Sequence, residues 1–296
     1  MSEDQNNPGE DKKKASGYHG GGVETVISVD EVTRQAQAIA EEITLEQLDD
    51  LAGNDPYVKI NNLVAGYGQM EILHNLDLRV GRAQSLCLIG PNGAGKSTIL
   101  HAIFGFNRIF SGNIEIGDGA DKRDITGMTP NQKLGQAGIA YILQDKSIFP
   151  GMTVEENLWM GGFLKDRPQE AKEAAEKVFD KYDRLANRRK HKAGVLSGGE
   201  RRLLEISRAL VMNPEVLLVD EPSIGLEPRF IDMVFEILDD LQNVEGKTII
   251  MVEQNAKKGL EFADIGYVLV SGQLAIAGKG DDLLQNPKVG ELFLGG

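Results

Sequence analysis

Gly90-Pro91-Asn92-Gly93-Ala94-Gly95-Lys96-Ser97-Thr98 follows directly on the apolar run Leu86-Cys87-Leu88-Ile89. The nine residues match the pattern Gly, four residues, Gly, Lys, then Ser or Thr, and the run before them reads as a buried strand. A strand, a glycine-rich turn and a helix form an arrangement in which backbone N–H groups curl into one concavity at the positive end of the helix. Phosphate oxygens bind there. Gly90, Asn92, Gly93 and Gly95 belong to that turn. Lys96 is expected to reach the β and γ phosphates, and Ser97, followed by Thr98, to offer a hydroxyl to Mg²⁺. A glycine-rich turn that matches by accident is the competing reading. Alone, the loop implies a nucleoside triphosphate and nothing narrower.

With 296 residues and 41% hydrophobic content, the chain is long enough to bury a sizeable core in one large domain or two smaller ones. No apolar run approaches the roughly 20 residues of a membrane helix. The N-terminus is polar where a signal peptide would carry its apolar core, so a cytoplasmic protein is expected. The single Cys87 has no internal partner for a disulfide and reads as a buried core thiol. A net charge of −13 argues against nucleic acid as a partner, because phosphate backbones are gripped by Lys and Arg. Most of that acidity lies in residues 1–55, which hold thirteen acids against four bases.

Residues 1–55 read as an acidic extension. The segment with Lys12-Lys13-Lys14 and Gly20-Gly21-Gly22 is too polar to fold alone. From Ser28 to Leu51, Val32, Ala36, Ile39 and Ile43 recur at helical spacing, and Thr44 with Gln47 resembles a capping box opening a second short helix. A compact domain is expected over 56–296. Tyr57 to Val64 and Leu76 to Val80 alternate like half-buried antiparallel strands. Gly66-Tyr67-Gly68 is expected to hold an aromatic in the intervening loop, where Tyr67 is either a turn residue or a π face for an adenine ring.

After the phosphate loop a helix is expected to Phe104, then strands at Gly112 to Gly117 and at Ile139 to Leu143, the latter ending at Gln144. A charged helical insertion follows over about 149–200. Leu196-Ser197-Gly198-Gly199-Glu200 opens another helix, a second place where N–H groups could grip phosphate. Glu215-Val216-Leu217-Leu218-Val219-Asp220-Glu221-Pro222 is a buried run ending in two carboxylates. It reads as a parallel strand presenting acids at its C-terminal edge, where open α/β sheets bind ligands. Asp220 suits Mg²⁺, and Glu221 is placed to orient and deprotonate water. The strand Thr248 to Glu253 leads into Gln254.

Taken in this order, the motifs resemble those of the ATP-binding subunits of ABC transporters, over roughly Tyr57 to Gly296. Tyr67 resembles the family's adenine-stacking aromatic, Gly90 to Thr98 its Walker A loop, and Gln144 its Q-loop glutamine. Ser197, Gly198 and Gly199 resemble the signature motif, and Asp220 and Glu221 the Walker B acid and catalytic glutamate. Gln254 stands where the family usually has a switch histidine, and Glu227 where a D-loop aspartate precedes proline. Gln254 cannot titrate, but its amide can still donate to a γ-phosphate. Gly66-Tyr67-Gly68, Val252 to Asn255 and Phe293 to Gly296 look most like the second, shorter ATPase of branched-chain amino acid importers.

The resemblance implies an α/β fold: a phosphate-loop ATPase core with a parallel central sheet, an N-terminal antiparallel β subdomain and an inserted helical subdomain. It implies hydrolysis of ATP with Mg²⁺ held by Ser97, Gln144 and Asp220, and catalysis by Glu221, Lys96, Gln144 and Gln254. The nucleotide would lie between this chain's Gly90 to Thr98 and Ser197 to Gly199 of a second ATP-binding subunit, a paralogue before an identical copy. Two integral membrane permease subunits would be direct partners and a substrate-binding protein an indirect one. The location implied is peripheral, on the cytoplasmic face of the membrane. A urea or short-amide importer and a non-transport ABC ATPase are the alternatives.

Overall fold

The structure is a computed structural model and describes residues 43–144 and 147–294. The lysine cluster, the glycine run and most of the stretch from Ser28 lie outside the described residues.

Two sheets organise the chain. In the first, β1 (Val58–Tyr67) pairs antiparallel with β2 (Met70–Val80) and β4 (Arg108–Ile116), and β5 (Arg123–Asp124) completes the order β2-β1-β4-β5. Both hairpin strands are longer than their alternation suggests. The reason is a break in pairing around Asn62, whose φ of 45° marks an irregularity that puts the apolar positions out of phase. Tyr67 is not in a loop, as expected, but ends β1 opposite Met70, and the turn is Gly68-Gln69. The strands run so close here that a Cβ on Gly66 would lie 2.0 Å from the Met70 carbonyl.

The second sheet has the order β10-β9-β3-β8-β7-β6. Its strands β3 (Ser85–Ile89), β6 (Ile139–Ile142), β7 (Val216–Asp220), β8 (Thr248–Val252) and β9 (Ile265–Val270) are parallel, and β10 (Gln273–Lys279) is antiparallel at the edge. Every residue of β3, β7, β8 and β9 is buried, which explains why their sequences are continuous apolar runs. Alternate residues feed two cores: Cys87, Leu217, Ile249 and Met251 face one, and Leu86, Leu88, Leu218 and Ile250 the other. Burial pushes the Cys87 thiol pKa up, so it is an inert core group. Because the strands are parallel, β3, β7 and β8 all end at one edge of the sheet.

Helices cover the sheets. Among the described residues these are α1 (Leu45–Leu51), α2 (Lys96–Phe104), α3 (Pro130–Gly135), α4 (Val154–Gly161), α5 (Pro168–Lys181), α6 (Asp183–Ala186), α7 (Gly198–Leu210), α8 (Pro228–Asn243), α9 (Ala256–Phe262), α10 (Gly280–Leu284) and α11 (Pro287–Val289). Helix α3 escaped the sequence reading, although Thr129, Pro130 and Gln132 form a capping box with proline at the first turn. Helix α1 opens on the Thr44–Gln47 capping box and docks on the body. Leu48 is 1% exposed, the Asp49 carboxylate accepts from Arg79 Nε at 2.9 Å, and the Leu51 carbonyl accepts from Gln84 at 2.9 Å. The expected boundary at 55/56 thus falls after a helix that already packs on the sheet.

Candidate functional site

Strand β3 delivers the chain to Gly90, whose φ of 144° brings the backbone against β9; a Cβ there would lie 2.2 Å from the Leu269 carbonyl. Gly95 caps α2 in the left-handed conformation without any side-chain hydrogen bond. The first N–H groups of α2 therefore keep no side-chain acceptor, a feature that suits an incoming anion. Lys96 is 8% exposed, and its Nζ donates to the carbonyls of Gly90 at 2.8 Å and Pro91 at 3.1 Å. Burial lowers its pKa, opposed by the charges of Glu221 and Asp220. Asn92 and Gly93 are exposed at the rim, whereas Thr98 is buried beneath it.

Strand β7 brings Asp220 to the same edge. One carboxylate oxygen accepts from Ser97 Oγ at 3.0 Å and the other from the Tyr141 hydroxyl at 2.8 Å. Glu221 follows in left-handed backbone, φ 45°, its N–H donating to the Val252 carbonyl of β8 at 2.8 Å. For a non-glycine residue that conformation costs about 1–2 kcal/mol, and here the bond to β8 holds it. Gln144 Nε2 donates to Glu221 Oε2 at 2.8 Å. Burial, reinforced by Asp220, raises the Glu221 pKa against the pull of Lys96. Lys96, Ser97, Gln144, Asp220 and Glu221, spread over 126 positions of sequence, thus meet at one edge.

Gln254 is exposed just beyond β8, next to the buried Glu253. Sequence reasoning passed over Glu253. Its carboxylate accepts from the Ser223 hydroxyl at 2.7 Å, the Ser223 N–H at 3.3 Å and the Asn255 N–H at 2.8 Å, tying the segment after β7 to the one after β8. The available signal was an acid directly after a wholly apolar strand. Tyr141 and His101 were also missed, because a tyrosine in a short strand and a histidine in a helix carry no motif. Tyr67, 44% exposed, is hydrogen-bonded through its hydroxyl to His101 Nδ1.

Ser197 caps α7 and accepts from the Glu200 N–H at 3.3 Å, while Glu200 accepts from the Ser197 N–H at 2.9 Å. Gly199 serves packing: a Cβ there would lie 2.2 Å from the Phe230 ring of α8. Among the described residues, no hydrogen bond or ion pair joins Ser197, Gly198 or Gly199 to the phosphate loop, Gln144, Asp220 or Glu221.

The chain is similar to known proteins over most of its length. The ABC transporter family matches residues 73–224. The chain is 40% identical over 230 residues to the high-affinity branched-chain amino acid transport ATP-binding protein BraG of Pseudomonas aeruginosa, covering 78% of this chain and 96% of that protein. It is 37% identical over 238 residues to the probable branched-chain amino acid transport ATP-binding protein LivF of Archaeoglobus fulgidus, covering 80% and 97%. Among solved structures, a nucleotide-free ATP-binding cassette from an ABC transporter superposes with a TM-score of 0.70 at 30% identity, covering 82% of this chain and 100% of that one. A phosphate loop and two strand-end acids on this sheet, with relatives matched over almost their whole length, place the chain in the ABC transporter family, as an ATP-binding and ATP-hydrolysing subunit.

Proposed function

We propose that the chain powers an importer of branched-chain amino acids by binding and hydrolysing ATP at the edge formed by β3, β7 and β8. The observation that carries the chemistry is the pair of hydrogen bonds Ser97 to Asp220 and Gln144 to Glu221, which sets a metal-binding type of oxygen beside a candidate base. The substrate class rests on the likeness to BraG and LivF.

The phosphate loop and the open end of α2 bind the triphosphate, and Lys96 exchanges its loop carbonyls for phosphate oxygens. Ser97, Asp220 and Gln144 offer a hydroxyl, a carboxylate and an amide oxygen, a hard donor set that fits Mg²⁺. Mg²⁺ supplies neutralisation of charge on the β and γ oxygens when bound. Glu221 orients water and takes its proton; its raised pKa brings it closer to the working pH of a general base. Gln254 donates its amide to the γ-phosphate. Tyr67 stacks on the adenine. Ser197, Gly198 and Gly199 serve the nucleotide of a neighbouring ATP-binding subunit, head to tail, since among the described residues they make no bond to this chain's own loop.

Peripheral attachment to the membrane follows from docking on permease subunits. Among the described residues no helix is long and apolar enough to cross a membrane. The cleft between the helical region and the core is lined by Phe106, Tyr141, Met160, Phe163 and Arg208, with Gln144 next to its Leu143 wall. A cytoplasmic permease segment seated there would feel any movement of Gln144.

The deciding measurement is uptake of labelled leucine and labelled urea in a strain lacking this chain. Loss of leucine uptake alone, restored by the wild-type chain and not by Glu221→Gln, is expected. Normal leucine uptake with loss of urea uptake would assign the alternative cargo.

A further inference from the structure

Helix α2 begins at the phosphate loop, and one and a half turns later it carries His101. That side chain stands between two parts of the site. On one side the Tyr67 hydroxyl meets its Nδ1, and the two rings lie edge to face at 6.0 Å. On the other, its ring lies 5.8 Å from that of Tyr141, whose hydroxyl donates to Asp220. Phe106 closes a third side at 5.8 Å. Burial lowers the pKa of His101, opposed by the charge of Asp220, so the neutral ring keeps one nitrogen as an acceptor.

We propose that His101 is a positioning residue for nucleotide binding: its Nδ1 holds the Tyr67 hydroxyl and so fixes the ring that receives the base. The inference rests on the assignment of Tyr67 to base stacking made above. An exposed tyrosine at a strand end has two free side-chain torsions, and ordering them at the moment of binding would cost affinity. The bond to a side chain of α2 removes that cost beforehand. It also ties the base end of the site to the helix that carries the phosphate loop.

The test compares dissociation constants for ATP and for inorganic tripolyphosphate, which has no base. Tyr67→Phe and His101→Leu should each weaken ATP binding about three- to ten-fold, the scale of one hydrogen bond. The double variant should be no worse than the poorer single one, because both changes break the same bond. His101→Asn, which keeps an acceptor near the Nδ1 position, should recover most of the loss. Tripolyphosphate binding should be unchanged throughout. Additive losses, wild-type ATP binding by Tyr67→Phe, or an equal loss for tripolyphosphate would overturn the proposal. Tyr67→Ala separates the two claims. If it binds ATP normally, the base-stacking assignment fails; if it binds poorly while Tyr67→Phe binds normally, only the role of His101 fails. Should His101→Leu not fold, the cycle of His101→Asn with Tyr67→Phe carries the same test.

Discussion

Glu221 combines a left-handed backbone with a carboxylate whose pKa burial and Asp220 raise. Both features follow from its place one step past β7, where the chain turns over the end of β8. Glu221→Gln keeps the shape and the contact with Gln144 but removes the base. ATP affinity should stay within about two-fold of wild type while the hydrolysis rate falls by about 10²–10⁴, read by single-turnover assays beside equilibrium binding. In the wild type, the rate should decline on acidification at a higher pH than for an unperturbed glutamate, because the proposed base Glu221 accepts a proton only when ionised. A second buried group gives a stability signature. Lys133, fully buried, donates to the Ala102 carbonyl at 3.2 Å, and burial lowers its pKa from 10.5 to about 8. Between those values the unfolded chain binds more protons than the folded one, so stability rises with pH from about 8 to about 10.5. Compared with Lys133→Met in urea titrations, the wild type should gain about 2–3 kcal/mol across that window.

Among the elements, α4 and α7 show how the helical region is held to the core. Gly161 ends α4 where a Cβ would lie 2.3 Å from the Arg208 carbonyl of α7. That obstacle is backbone and cannot rotate away. Gly161→Ala should therefore separate the two helices and destabilise the fold by about 1–3 kcal/mol, measurable by denaturant unfolding. The start of α7 had been expected from its sequence as a phosphate grip. The structure adds that Ser197 and Glu200 cap the helix reciprocally and that Gly199 admits Phe230. Helix α1 was legible from its capping box, but its docking was not. Arg79 is 1% exposed, and Asp49 is the carboxylate it meets. Nothing in the local pattern pairs two charges 30 positions apart.

For the whole molecule, the proposed catalytic groups gather on one edge, and among the described residues Ser197 to Gly199 make no bond to them, which is the basis for proposing a second subunit. The specific ATPase activity of the purified chain should then rise with protein concentration or with added partner subunit. Ser197→Arg should abolish that rise without changing ATP binding by the isolated chain. A rate independent of concentration and unaffected by Ser197→Arg would place the complete site within one chain.

The sequence by itself determined the phosphate loop, the buried strands, the two acids at the end of β7 and the order of the motifs. Each is a local pattern of residue type and period, and parallel buried strands announce themselves as apolar runs. Tyr67 shows where that legibility stops, since the hairpin register placed it at a strand end and not in a loop. Only the tertiary structure decided that Tyr67 bonds to His101, 34 positions away, that Ser223 bonds to Glu253, 30 away, and that Ser97 reaches Asp220, 123 away. Such pairs depend on strand order, register and helix packing, which set distances in space that no spacing along the chain records.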